Sequence, residues 1–185
     1  KDDRIVGITA AMPDGTGMIK LKPMFPDRYF DTGICEGHAT TMAAGMTKAG
    51  LRPVVAIYST FLQRAFDNIF QEVCLQGLPV IFCVDRAGLV GDDGAVHHGF
   101  CDLSFLRAQP GIVLMSPSDE PELIRALDLA VSLDHPSQLR YPRDNVPPTP
   151  LGEDSPWGIV KTGGISRTLR EPTGGAPDAT LIAYG

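Results

Sequence analysis

"PVVAIYS" (53–59) and "LPVIFCVD" (78–85) are almost unbroken apolar runs rich in β-branched residues. They constrain the fold more than any other feature of the chain. A strand with one wet face alternates apolar and polar residues, whereas an uninterrupted run fits a parallel strand covered on both faces. "RIVGITAAM" (4–12), "YFDTGIC" (29–35), "GIVLMSP" (111–117) and "SQLRYPR" (137–143) read as further strands. Between them, "EGHATTMAAGMTKA" (36–49) predicts a helix of small residues, stopped by Gly50. "LQRAFDNIFQEVCLQG" (62–77) repeats apolar residues at helical spacing through Leu62, Phe66, Ile69, Val73 and Cys74. Ser118 is the expected N-cap of a helix over 119–133, which has acids and Pro121 in its first turn. The alternation predicts an α/β fold: a doubly wound, mostly parallel sheet with helices on both faces.

With 185 residues, 43% of them hydrophobic, the chain can build one core and part of another. The composition changes after Arg143: "DNVPPTPLGEDSP" (144–156) reads as a linker, and the chain stops on an apolar run, "ATLIAYG". The expected organisation is a domain over 1–145, then a linker and the truncated start of a second domain over 146–185. No apolar run reaches the roughly 20 residues that span a bilayer. A net charge of −6 argues against a nucleic-acid surface, while a few arginines in a cleft still suit small anions. The four cysteines form no C-x-x-C pair and read as free core thiols of a cytoplasmic protein. "HHGFC" has no second ligand pair at zinc spacing, so no metal is expected within the chain.

In parallel α/β sheets, ligands bind outside the carboxyl ends of the strands. Glu36, residues 59–64 and residues 86–99 all follow predicted strands and so converge on one rim. The segment 85–104, "DRAGLVGDDGAVHHGFCDLS", is a long loop with glycines at 88, 91, 94 and 99, a length that is usually functional inside a compact domain. Glu36 is a lone carboxylate between an apolar run and a small-residue helix, and such acids are rarely buried unpaired. Plainer readings stand beside these. Glu36 can serve the helix dipole, Phe61 the core, and Arg64 with Asp67 a surface pair. His97 and His98 can be loop polar groups, and Arg140 can face solvent. From the residues alone the chain is an α/β domain with a polar strand-end cleft.

"DTGICEGHATTMAAG", the stretch from "PVVAIYSTFLQRAFD" to "DRAGLVGDDGAVHHGFCDLSFLR", and "LRYPR" closely resemble the pyrimidine-binding domain of the transketolase-like family of thiamine-diphosphate enzymes. "YSTFLQRAFD", and "DRAGLVG" followed by His97, resemble its 1-deoxy-D-xylulose-5-phosphate synthase branch most. The resemblance implies that Glu36 is the glutamate that hydrogen-bonds N1′ of the cofactor's aminopyrimidine. That bond favours the imino tautomer needed to deprotonate thiazolium C2. It also implies that Phe61 stacks on the pyrimidine with Tyr58 and Arg64 beside it, and that Tyr58 and Ser59 border the substrate. Arg86 and Arg140 match arginines that grip the acceptor phosphate. Asp93 and His97 match loop residues near the substrate, with His97 the candidate for proton transfer.

The implied reaction joins decarboxylated pyruvate to D-glyceraldehyde 3-phosphate for isoprenoid, thiamine and pyridoxal precursors. The implied assembly is a homodimer. The family's diphosphate and Mg²⁺ site, a G-D-G…N motif of the N-terminal domain, is absent from this sequence, so this polypeptide alone is expected to be inactive. Gly37, Val96 and His98 depart from the family pattern, and Gly37 removes a side chain beside Glu36. Two alternatives remain: another transketolase-like transferase, and a non-catalytic α/β module for oligomerisation.

Overall fold

The computed structural model describes residues 2–145. The expected linker and second-domain start lie outside the described residues. Six strands, β1 (Ile5–Thr9), β2 (Tyr29–Asp31), β3 (Arg52–Tyr58), β4 (Ile81–Asp85), β5 (Val113–Met115) and β6 (Ser137–Arg140), form one sheet. Every pairing is parallel, in the order β2-β1-β3-β4-β6-β5. The helices are α1 (Leu21–Met24), α2 (Glu36–Lys48), α3 (Ser59–Leu62), α4 (Phe66–Asn68), α5 (Asp102–Leu106) and α6 (Glu120–Ser132). Among the described residues no helix is long and apolar enough to cross a membrane.

Burial on both faces accounts for the unbroken apolar runs. Ile8, Val55, Ile57, Phe82 and Val84 pack on one face with Ala39 and Ala43 of α2 and with Leu62, Ile69 and Val73. Ile81 and Leu139 point the other way, onto Ala126 and Ala130 of α6. The chain leaves β1 toward one edge and β3 toward the other, so the strand order reverses between them. That reversal opens the crevice where ligands bind in such sheets.

Several expectations change. Residues 62–77 are not one regular helix: α3 passes through a 3₁₀ turn (Gln63–Ala65) into α4 and then a π-helical turn (Ile69–Cys74). Apolar spacing alone cannot separate these helical types over a few residues. The N-cap of α6 is Asp119, which accepts from Glu122 N at 2.8 Å, while Ser118 N and Oγ donate to the Glu122 carboxylate. This is a capping box displaced by one residue. Cys35 and Cys101 are exposed rather than in the core. Burial pushes the thiols of Cys74 and Cys83 up to about 12.

Residues 18–28, which carry no clear periodicity, form two 3₁₀ turns around α1. They lie against β1 because Gly7 has no Cβ to meet Leu21 and Met18.

Candidate active site

The turn that carries Glu36 to the rim is held by its neighbours. The Asp31 carboxylate accepts from Ala11 N (2.8 Å) and Gly33 N (3.0 Å), and Thr32 N donates to Thr9 O. The first turn of α2 then begins at Glu36 with no side-chain cap on its N–H groups. The Glu36 side chain is 2% exposed and accepts from Arg64 Nη1 at 2.5 Å, whereas the Arg64 side chain is 53% exposed. The acid is thus fixed in the fold while its partner stands in water.

Aromatic rings continue the site away from Glu36. The Arg64 guanidinium lies 4.8 Å from the centre of the Phe61 ring. Phe61 stacks on Tyr58 at 5.9 Å, and His97 meets both rings edge-on, at 5.3 Å from Phe61 and 6.3 Å from Tyr58. The far side of Tyr58 carries the Arg86 guanidinium, 3.9 Å from the ring centre. Gly15 fits here because a Cβ would overlap the Tyr58 hydroxyl, and its carbonyl accepts from Arg86 Nη1 at 2.9 Å. Burial raises the Tyr58 phenol. Ser59, at 1% exposure, presses against Gly99, where a Cβ would overlap it. Among the described residues, Ser59 Oγ and His97 Nδ1 are buried with no hydrogen-bond partner. Buried polar atoms without partners are uncommon enough in folded proteins to need a reason.

Charge dominates the end of β4. Arg86 holds a left-handed backbone (φ 58°), rare for a side chain of this size. Its N–H and Nη1 both donate to Asp85 Oδ1, at 2.7 and 3.0 Å. Burial raises the Asp85 carboxyl even though Arg86 opposes the shift. The following loop closes at a two-bond neck, Gly88 N to Gly99 O and Gly99 N to Gly88 O, both 2.8 Å. Inside it, His98 Nδ1 accepts from Val90 N. Asp93 reaches back to accept from Arg86 Nε (3.1 Å) and Arg143 Nη1 (2.6 Å). An open groove of about 550 Å³ lies beside this pair, between residues 89–92 and 143–145.

Glu36, Tyr58, Phe61, Arg64, Arg86, Asp93 and His97 therefore form one continuous row, with Ser59 beneath the loop. Arg140, the last residue of β6, meets a buried acid. Its Nε donates to Asp102 Oδ2 at 2.8 Å, and Asp102, fully buried, also accepts from Gln138. The arginine that reaches the Arg86 cluster, through Asp93, is Arg143. The motif "RYPR" holds both arginines, and spacing could not choose between them. Asp102 carries no sequence signal of its own, and its burial with Arg140 and Gln138 is what marks it. The Arg64–Asp67 surface pair does not form as read: Arg64 turns to Glu36, and Asp67 accepts from Gln71. Phe61 is only partly buried, so it is not simply a core ring.

The transketolase pyrimidine-binding domain model matches residues 1–149. The 1-deoxy-D-xylulose-5-phosphate synthase of Halothermothrix orenii is 59% identical over 143 residues, covering 77% of this chain and 22% of that protein. The 1-deoxy-D-xylulose-5-phosphate synthase 1 of Geobacter sulfurreducens is 57% identical over 185 residues, covering 100% of this chain and 28% of that protein. The chain thus spans about a quarter of the length of these curated relatives. A solved split-gene transketolase, described as an inactive β4 tetramer, superposes with a TM-score of 0.69 at 28% identity, over 79% of this chain and 47% of its own. A Pichia stipitis transketolase structure, at 22% identity and the same TM-score of 0.69, covers 78% of this chain and 23% of its own and shares the fold. The parallel sheet, the acid at the crevice and the family match agree: the chain belongs to the transketolase pyrimidine-binding domain family.

Proposed function

We propose that residues 1–145 are the pyrimidine-binding domain of a 1-deoxy-D-xylulose-5-phosphate synthase, with 146–185 leading into a further domain of a longer, homodimeric, cytoplasmic protein. The reaction is the condensation of pyruvate with D-glyceraldehyde 3-phosphate, with loss of CO₂. The relatives' names and identities support it. The observation that carries it is the shielded Glu36 carboxylate in the crevice, next to an aromatic face and paired, among the described residues, with a half-exposed arginine.

The residues fit the pyrimidine half of thiamine diphosphate. Glu36 offers a carboxyl group fixed by α2, Phe61 a partly open ring face, and Ser59 Oγ and His97 Nδ1 two unsatisfied polar atoms. When bound, the cofactor supplies a carbanion nucleophile able to attack a carbonyl. Glu36 holds or shares a proton at the pyrimidine N1′. Arg64, free to swing toward water, releases it for that task. Phe61 and Tyr58 exclude water from the ring face, and His97 Nδ1 is placed to move a proton on the substrate side. Arg86 and Arg143, brought together by Asp93, offer two planar donor forks suited to a phosphate. Arg140, held by Asp102 at the carboxyl end of β6, stands with them. The diphosphate and Mg²⁺ are assigned to another part of the longer protein.

Glu36→Gln in the full-length protein tests this. It keeps the shape and should leave thiamine diphosphate binding within a few-fold by calorimetry. Its kcat should fall by about 10²–10⁴, the range for a positioned acid–base group. Wild-type protein should consume pyruvate and release CO₂. Transfer from a ketose phosphate without CO₂ would instead mark another transketolase-like transferase. A Glu36→Gln kcat within a few-fold of wild type would return Glu36 to a helix-start acid.

A further inference from the structure

Gly37 follows Glu36 directly, in the first turn of α2. A Cβ built on Gly37 would lie 2.7 Å from Asn68 Oδ1 and 3.5 Å from Asn68 Cγ, the first closer than real Cβ contacts come. Asn68 is the last residue of α4, four positions after Arg64, so both face α2 from the same side of the segment. Its Nδ2 donates to Thr41 Oγ1 at 3.0 Å, just over one turn beyond Glu36. Two side chains of the 59–74 segment thus grip the start of α2, Arg64 on the Glu36 carboxylate and Asn68 around Gly37 on Thr41. Between and behind them, Ala65 and Ile69 pack with Ala39 and Ala43, all fully buried. The space that Gly37 leaves beside Glu36 is filled from the neighbouring segment.

We propose that Asn68 is a positioning residue for Glu36, and that Gly37 is the complement that lets it close. The proposal rests on the reading that Glu36 acts on the cofactor. Arg64 is half exposed and bonds Glu36 through Oε1, so it is the grip that yields more easily when the acid engages the pyrimidine. Asn68 is the grip that remains. It keeps the first turn of α2 in place while the charge partner is away, so the acid meets its ligand from a fixed direction.

The test uses the full-length protein with Gly37→Ala, Asn68→Ala and the double variant. Gly37→Ala should lower kcat about tenfold, within the roughly 10² that a misplacement of an ångström costs. KM for the phosphorylated acceptor should stay within about twofold, since the ground-state contacts of that substrate are untouched. Tm should not fall, because alanine is the better helix former. In the cofactor-free protein, amide exchange at 37–41 should speed up several-fold while 52–58 stay unchanged.

Asn68→Ala should do the same, and adding Gly37→Ala to it should cost nothing more, because the collision is gone. Thr41→Val, which removes the Asn68 acceptor from the other side, should reproduce Asn68→Ala. Additive losses in the double variant would overturn the proposal. So would unchanged kcat and exchange in Gly37→Ala, or losses that track Tm. Glu36→Gln run in parallel separates the two readings: full activity there sinks the functional reading, while the exchange data still decide whether the clasp exists.

Discussion

Three buried carboxylates in this domain each hold an arginine, and two of the pairs, Asp102–Arg140 and Glu36–Arg64, differ in one respect. In Asp102–Arg140 both side chains are sealed, at 0% and 9% exposure, and Gln138 adds a third contact. In Glu36–Arg64 the acid is equally shielded but the arginine is 53% exposed. Both charges of the sealed pair lie in low dielectric at the carboxyl end of β6, so separating them is costly. The open pair can separate at little cost, because its arginine recovers water. Exposure of the partner, rather than burial of the acid, is what separates these two pairs. Asp93, at 21% exposure, is intermediate and serves two arginines at once.

The largest effect should come from breaking the sealed pair. Asp102→Ala removes the buried carboxylate that Arg140 and Gln138 both meet and should cost about 3–5 kcal/mol in denaturant unfolding. Glu36→Ala in the cofactor-free protein should cost about 1 kcal/mol or less, since a half-exposed arginine is left hydrated. Equal losses would erase the distinction.

A smaller effect is expected at Asp93. Asp93→Asn removes a partly exposed double pair worth about 1 kcal/mol. It should speed amide exchange at 88–99 roughly five-fold without changing 137–140. In wild type, raising ionic strength from about 0.05 to 0.5 M should act in the same direction on the loop alone, because screening spares sealed pairs. Loop exchange that ignores salt would mean that the Gly88–Gly99 neck, not charge, holds the loop.

The smallest effect, absent at neutral pH, concerns Cys74 and Cys83, which lie outside both pairs. Their folded-state values are raised from 9.0 to about 12 by burial. The folded protein keeps protons that the unfolded chain gives up. The thiol contribution is therefore complete below pH 9 and lost as pH rises toward 12. Cys74→Ala should flatten the alkaline arm of the stability curve, and an unchanged slope there would show that this thiol is not what titrates.

The fold class was readable because the apolar runs of β3 and β4 have no polar interruption, and only a sheet covered on both faces tolerates that. The rim was readable as well, because the residues after each parallel strand share an edge whatever the strand order. The short helical pieces of 18–28 and the π-helical turn were not. Three- and four-residue elements have too few repeats to carry a period, and the close approach of segment 18–28 to Gly7 is a contact between elements, not a pattern along one. The choice between Arg140 and Arg143 was hidden for the same reason. Arg140 ends β6 and Arg143 follows it three residues on, and the sealing of Arg140 depends on Asp102, 38 residues away.

The sequence by itself determined the layered α/β architecture, the convergence of Glu36, residues 59–64 and residues 86–99, and the kinship with the transketolase pyrimidine-binding domain. Those follow from local periodicity, strand direction and motif. The tertiary structure decided which charges are paired, which partner reaches water, and that Asn68 fills the space Gly37 leaves open. Those depend on distances between side chains far apart in the chain. Such distances are set by how helices seat on the sheet, and no local preference encodes them.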